Sequence, residues 1–345
     1  MPLHLIPGYC LGALARLAYG VRGRSFLLAT LALATLAAPA AAAAQKVPRI
    51  GFLASISANS APARVEAFRL GLRELGWVEG QSVTIEWRWA EGRDDRLLGL
   101  AEELVRLKVD VIVTVGATTT HTARRATAAI PIVFASAGDA VAAGLVASLA
   151  RPGGNVTGLT VIAPDLSGKR LEMLREVVPR FTRLAVLSNP TNPVSVPELK
   201  ETQVAARSLG LQIQSLEVAG PGGFASAFSA MTRERAGALI VLSDAMFLGR
   251  NAQIVGHATK SRLPAIFWTR EFPEAGGLMS YGPNTAALWR RAATYADKIL
   301  KGAKPADLPV QQPTRFELVL NMKTAKALGI KFPQSILIRA EQVIE

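Results

Sequence analysis

From Arg49 onward, short runs of β-branched and apolar residues alternate with longer stretches whose apolar positions recur every three or four residues. RIGFLA (49–54) reads as a strand, and Ala63–Leu75 as a helix, because Val65, Phe68, Leu72 and Leu75 return at helical spacing. In SVTIEWRW (82–89) the period is two: Ile85, Trp87 and Trp89 share one face of a strand, Glu86 and Arg88 the other. Leu97–Leu107 then reads as a helix, DVIVTV as a strand, Thr118–Ala129 as a helix and IPIVFA as a strand. A βαβ series of this kind predicts a parallel sheet with helices on both faces.

The pattern restarts after the turn-rich RPGGNVTG (151–158), whose Pro152, Gly153 and Gly154 stop a helix and turn the chain into the last segment of the first lobe. Helices are expected over 165–178, 196–209, 224–234 and 252–261, alternating with the strands RLAVLS, LQIQSLEV, GALIVLS and LPAIFW. Four strands before the glycines and four after predict an α/β protein of two doubly wound parallel-sheet lobes, since one sheet of eight or more strands is the rarer solution. Residues 284–301 form a further amphipathic helix, and a Pro-rich crossing leads to the strand-like RFELVL. The expected organisation is lobe 1 over 45–160, lobe 2 over 161–282, and a C-terminal segment over 283–345 that crosses a multi-strand hinge and completes both lobes.

The first 44 residues differ. Arg16, Arg22 and Arg24 precede a stretch from Ser25 to Ala44 without charge, broken by Pro39 and ending in the small residues Ala40–Ala44. That is the layout of a signal peptide cleaved between Ala44 and Gln45, which sends the protein to the periplasm. An uncleaved anchor is the rival reading, because about 20 apolar residues can span a bilayer. Cys10, after Pro7, Gly8 and Tyr9, has no lipobox around it.

Half of the 345 residues are apolar and 19% are charged, which excludes a disordered chain. One cysteine and three histidines exclude a disulfide framework and a Cys-based metal cluster. Without its first 44 residues the chain keeps 36 of its 39 basic side chains and all 26 acidic ones, a net charge of +10. The bases are interleaved with acids, as in EELVRLK and KRLEMLRE, so the expectation is a solvated basic surface and no nucleic-acid partner. No GxGxxG follows the first strand, LSGKR is no P-loop, and no GxSxG elbow occurs. His121 and His257 fall within helical patterns, where packing is the expected role. No catalytic residue, metal or cofactor is assigned, and a monomer is expected.

In a doubly wound sheet the ligand lies beyond the carboxyl ends of the strands. Those loops are SISANSAP (55–62), GATTT (116–120) and SAGDAV (136–141) in the first lobe, and SNPTNP (188–193), SDAMF (243–247) and TREF (269–272) in the second. Ligand candidates within them or beside them are Ser55, Ser57, Ala117, Thr118, Ser136, Asp139, Asn189, Asp244 and Trp268. Main-chain amides at Ala117 and Thr118, opening a helix, suit a carboxylate. Asp139 or Asp244 suits an ammonium, and Trp268 or Phe267 suits an apolar side chain. The competing account is that the Ser, Thr, Asn and Asp residues cap the helices that start there.

AGLVASLARPGGNVTG, NPTNP, RLPAIF, REFPEAGGLMSYGPN, RRAATYADKILKGAKPADLPVQQPTRFELVLNMKTAKALG and ILIRAEQVIE together resemble the ABC-transporter substrate-binding protein family that includes the tryptophan-binding TrpX-like proteins. The resemblance runs from Arg49 to Glu345. It implies a type I periplasmic-binding-protein fold, a small solute held between two closing lobes, and an ABC permease as partner. The chain departs from the family pattern at Ala140 and in SISANSAP, so the expected ligand is an amino acid or small aromatic or organic acid, with tryptophan itself not assigned. Two other readings share the fold: a ligand-sensing domain without a transport role, and a hydrolase on the same scaffold.

Overall fold

A computed structural model describes residues 47–161 and 166–345. The expected signal peptide with its cleavage point, and Asp165 at the expected start of the 165–178 helix, lie outside the described residues. The first half runs β1 (Arg49–Ala54), α1 (Pro62–Glu74), β2 (Thr84–Trp89), α2 (Leu97–Arg106), β3 (Val111–Val115), α3 (Ala117–Ala126), β4 (Ile132–Ala137) and β5 (Val156–Thr160). These strands make one parallel sheet in the order β2-β1-β3-β4-β5. All of β3, and β1 beyond Arg49, is buried, as expected of strands covered on both faces.

The second half contains α4 (Ser167–Val177), β6 (Arg183–Ser188), α5 (Ser195–Ser208), β7 (Gln212–Glu217), α6 (Phe224–Arg233), β8 (Ala238–Val241), α7 (Ala245–Gly249), α8 (Asn251–Lys260), β9 (Ala265–Phe267), α9 (Glu271–Glu274) and β10 (Met279–Pro283). It ends with α10 (Thr285–Leu300), β11 (Phe316–Asn321), α11 (Met322–Leu328), α12 (Gln334–Leu337) and β12 (Gln342–Ile344). Its sheet has the order β12-β11-β10-β9-β8-β6-β7, parallel throughout except where β11 meets β10. The sheets thus hold five and seven strands where four and four, with the strand-like RFELVL (β11) besides, are read from the sequence. The strands missed, VTGLT, MSYGP and QVI, are short, and the first two carry glycine or proline within them.

The C-terminal segment serves both sheets. Asn284 caps α10, its side chain accepting from the Ala287 amide, and the helix then packs along α1 and onto the first sheet. Gly71 permits that approach: a Cβ there would stand 2.4 Å from the Arg290 carbonyl oxygen. Trp289 of α10 is fully buried and meets Phe52 of β1 at 5.0 Å between ring centroids. Phe52 also packs on Trp87 and Trp89, which stack on each other at 5.4 Å and 6°. After α10 the chain returns to the second sheet as β11, and on the way Gln311 pairs with β5, accepting from the Thr160 amide at 2.9 Å. The chain therefore passes between the sheets three times: after Val161, at Asn284, and between Gln311 and β11.

Candidate functional site

The two sheets face each other with the carboxyl ends of their central strands, and the lobes touch there. Val194, which precedes α5 in the second lobe, is buried within the apolar cluster of the first. It lies against Gly138, just beyond β4. Arg64 of α1 crosses the same gap. Its Nε donates to Glu271 Oε1 at 2.5 Å and its Nη2 to Thr269 Oγ1 at 3.0 Å, and its guanidinium lies 5.6 Å from the ring centre of Trp268. Burial alone raises the Glu271 carboxyl, but the Arg64 charge and its hydrogen bond outweigh it and hold the group below the usual range.

Between the lobes lies a cavity of about 70 Å³. The first lobe lines it with Ile56, Arg64, Val115, Gly116, Ala117 and Ser136–Gly138. The second contributes Asn192, Val194, Ser243–Ala245, Leu248 and Trp268, and Val161 and Thr285 close the hinge side. Two polar features stand out. Gly116, at φ 84°, turns the chain from β3 into α3, and no side chain caps that helix, so its first amides have no partner within the helix. Opposite in sign is Asp244, buried at the start of α7. Its Oδ1 accepts from the Phe247 amide at 3.0 Å, and its Oδ2 from Asn189 Nδ2 at 3.1 Å and Asn192 Nδ2 at 3.0 Å. Burial raises the Asp244 carboxyl to about 6, against the pull of those three donors.

The Asp244 loop is itself held from behind. Glu198 of α5, fully buried, accepts from the Ser243 amide and hydroxyl at 2.9 and 3.1 Å and pairs with Arg170 at 2.8 Å. Burial pushes the Glu198 carboxyl up and the Arg170 guanidinium down, while their mutual attraction acts the other way on each. Arg170 Nε donates to the Tyr281 carbonyl at 2.8 Å, on the strand that leads into the hinge. The loop bearing Asp244 is thus tied through two buried charges to β10.

Of the residues singled out from the sequence, Ala117, Ser136, Asp244 and Trp268 line the cavity. Asn189 stands directly behind, on Asp244. Ser55 is buried on Thr119, Ser57 bonds Ser60, and Thr118 is half-buried one residue past the lining. Asp139 is exposed and holds its own turn, accepting from the Val141 and Ala142 amides; it does not line the cavity. Asn192, Ser243 and Gly138 belong to loops read from the sequence, but Arg64, Val194 and Thr285 carry no local signal. His121 bonds the Ala143 carbonyl and His257 stacks on Phe228, both away from the cavity.

The model of the family described as ABC transporter substrate binding protein matches residues 49–344. A tyrosine-binding protein from Clostridioides difficile (strain R20291) is 24% identical over 288 residues, 83% of this chain and 82% of that one. A structure from Streptococcus pneumoniae, described as an ABC domain in complex with L-Trp, is 28% identical at a TM-score of 0.81, covering 86% of this chain and 99% of its own. A conserved domain protein from Vibrio cholerae is 26% identical at the same TM-score, covering 86% and 100%.

Proposed function

Since this chain belongs to the ABC transporter substrate-binding protein family, we propose that it is an exported receptor that captures an amino acid between its lobes and delivers it to an ABC permease. The observation that carries the reading is the pairing, around one cavity, of a buried carboxylate with an uncapped helix start. Asp244 takes the α-ammonium, which replaces the water its burial removed. The Ala117 and Thr118 amides, at the positive end of α3, take the α-carboxylate. Asp139 remains available only to the turn it caps, so Asp244 is the ammonium partner in this proposal.

The lobes are closed in this structure, with Val194 seated on Gly138 and Arg64 bonded across the gap. Closure around a solute that contacts both lobes is the hinge mechanism: the ligand stabilises the closed state by the contacts that only that state provides. The cavity, at about 70 Å³, is about half of the roughly 150 Å³ that holds benzene. A ring-bearing ligand, such as those named for two relatives, needs more room than this cavity offers. Export rests on the signal-like segment ahead of Gln45.

One preparation tests both parts. Protein recovered from the periplasmic fraction should begin at Gln45; a chain starting at Met1 in the membrane fraction would refute cleavage. After removal of carried-over solute by unfolding and refolding, thermal unfolding is followed against the common amino acids. A ligand at 100 times its Kd should add about 2.7 kcal/mol, a shift of several degrees. No shift with any amino acid, beside one with a sugar or an organic anion, would overturn the ligand class.

A further inference from the structure

We infer that the solute carries, besides its α-amino and α-carboxyl groups, an oxygen on its side chain, and that Trp268, Thr285 and Arg64 recognise it. The inference rests on the amino-acid reading above. Trp268 Nε1 and Thr285 Oγ1 are buried atoms with no hydrogen-bond partner among the described residues, and both residues line the cavity. Trp268 is 9% exposed and Thr285 1%. Buried polar groups in folded proteins are mostly paired; of the nine buried side-chain atoms without a partner among the described residues, these two belong to residues that line the cavity, where a partner can come from elsewhere.

The chemistry of that partner follows from the donors. An indole N–H only donates, and so does a guanidinium; a threonine hydroxyl does either. Arg64 uses Nε on Glu271 and Nη2 on Thr269, and among the described residues no hydrogen bond engages its Nη1. The group that satisfies all three is an acceptor oxygen. Because Glu271 already balances the Arg64 charge at 2.5 Å, a neutral oxygen is enough: a phenol hydroxyl can accept from Trp268 and donate to Thr285, and an amide carbonyl can accept from both. An apolar side chain, or an indole that offers only a further N–H, leaves the Trp268 donor unpaired, which is how a site rejects a close analogue lacking one polar atom.

Thr285 begins α10 at one crossing between the lobes and Val161 stands at another, so this wall is the hinge side of the cavity. Asp244 and the α3 start belong to loops at the strand ends. A solute spanning the two places its backbone groups on the loops and its side-chain oxygen at the hinge.

The test uses near-isosteric ligand pairs that differ in that oxygen, tyrosine with phenylalanine and glutamine with methionine, titrated calorimetrically into the solute-free protein. The oxygen-bearing member of the pair that fits should bind at least about tenfold tighter, and Thr285→Val and Trp268→Phe should each shrink that ratio. Glutamate set beside glutamine tells whether the favoured oxygen is charged or neutral, both being acceptors of the kind inferred. Equal affinity within the pairs, or a ratio that survives both substitutions in folded protein, overturns this inference and leaves the amino-acid reading standing. Failure of every amino acid to bind overturns that reading, and this inference falls with it.

Discussion

Gly138→Ala separates closure of the lobes from the stability of each. The backbone at Gly138 lies outside the left-handed region, so alanine strains nothing locally. Its Cβ, however, would stand 2.5 Å from both Cγ1 and Cγ2 of Val194 and 3.1 Å from its Cβ. Carbon atoms rest at roughly 3.5–4.0 Å, so the new methyl overlaps Val194 by about 1 Å. Turning Val194 offers little relief, because both of its methyls already crowd the same point. The overlap exists only while the lobes are shut, since the two residues belong to different lobes. An overpacking cost of about 1–3 kcal/mol therefore falls on the closed state alone, and the apparent affinity should weaken about 5- to 150-fold.

Calorimetric titration of a ligand found by the amino-acid screen measures that loss. Unfolding of the ligand-free variant should stay within about 1 kcal/mol of the parent. Val194→Ala in the same chain removes the obstructing methyls, so the double variant should recover most of the affinity, with a coupling well outside the additivity expected of independent sites. Parent-like binding by Gly138→Ala alone would show that ligand does not require the lobes to meet as they do here, and would refute the argument.

Three further expectations concern buried charge. An ammonium needs Asp244 ionised, and that carboxyl sits at about 6, so affinity should be constant above pH 7 and fall toward tenfold per unit below 6. Binding at pH 5 should release close to one proton, measured by calorimetry in buffers of different ionisation enthalpy, and a flat affinity from pH 7 to 5 would contradict the assignment. The same raised carboxyl holds its proton better in the folded chain than in the unfolded one, so its own contribution to stability is lost as pH rises from about 4 to about 6. Glu198→Ala strands the Arg170 guanidinium, 1% exposed, and should cost about 3–5 kcal/mol in chemical denaturation; a loss under 1 kcal/mol would mean that Arg170 finds another partner or water.

The alternation of periods was enough to read two α/β lobes and most of their helices, because a helix such as Thr285–Leu300 or Phe224–Arg233 announces its buried face within its own sequence. The loops at the strand ends were legible for the same reason: they follow the strands. Strands β5, β10 and β12 were not, being three to five residues long and placed by their neighbours in the sheet. Arg64 shows the limit most plainly. Inside PARVEAFRLGLRE it looks like any solvent-facing arginine, and it is buried only because Glu271 and Thr269, more than 200 positions away, come to meet it. Asp139 shows the converse: a strand-end carboxylate of the expected type, spent on its own turn.

The return of α10 to the first sheet also dictates an order of assembly. Phe52, near the start of the described chain, finds its fully buried indole neighbour only in Trp289, and Gly71 is shaped for a helix centred on Arg290 and Ala293. A ribosome delivers the β-strands of the first lobe long before that helix. Until residue 300 or so has emerged, only α1 covers the aromatic face of the earlier strands, with the Phe68 ring centroid 5.3 Å from that of Phe52, the place of Trp289 stays open, and the nascent lobe lacks the cooperativity of an independent folding unit. Built this way, the two lobes mature together from a nearly complete chain, and the half that is made first is the one that must wait.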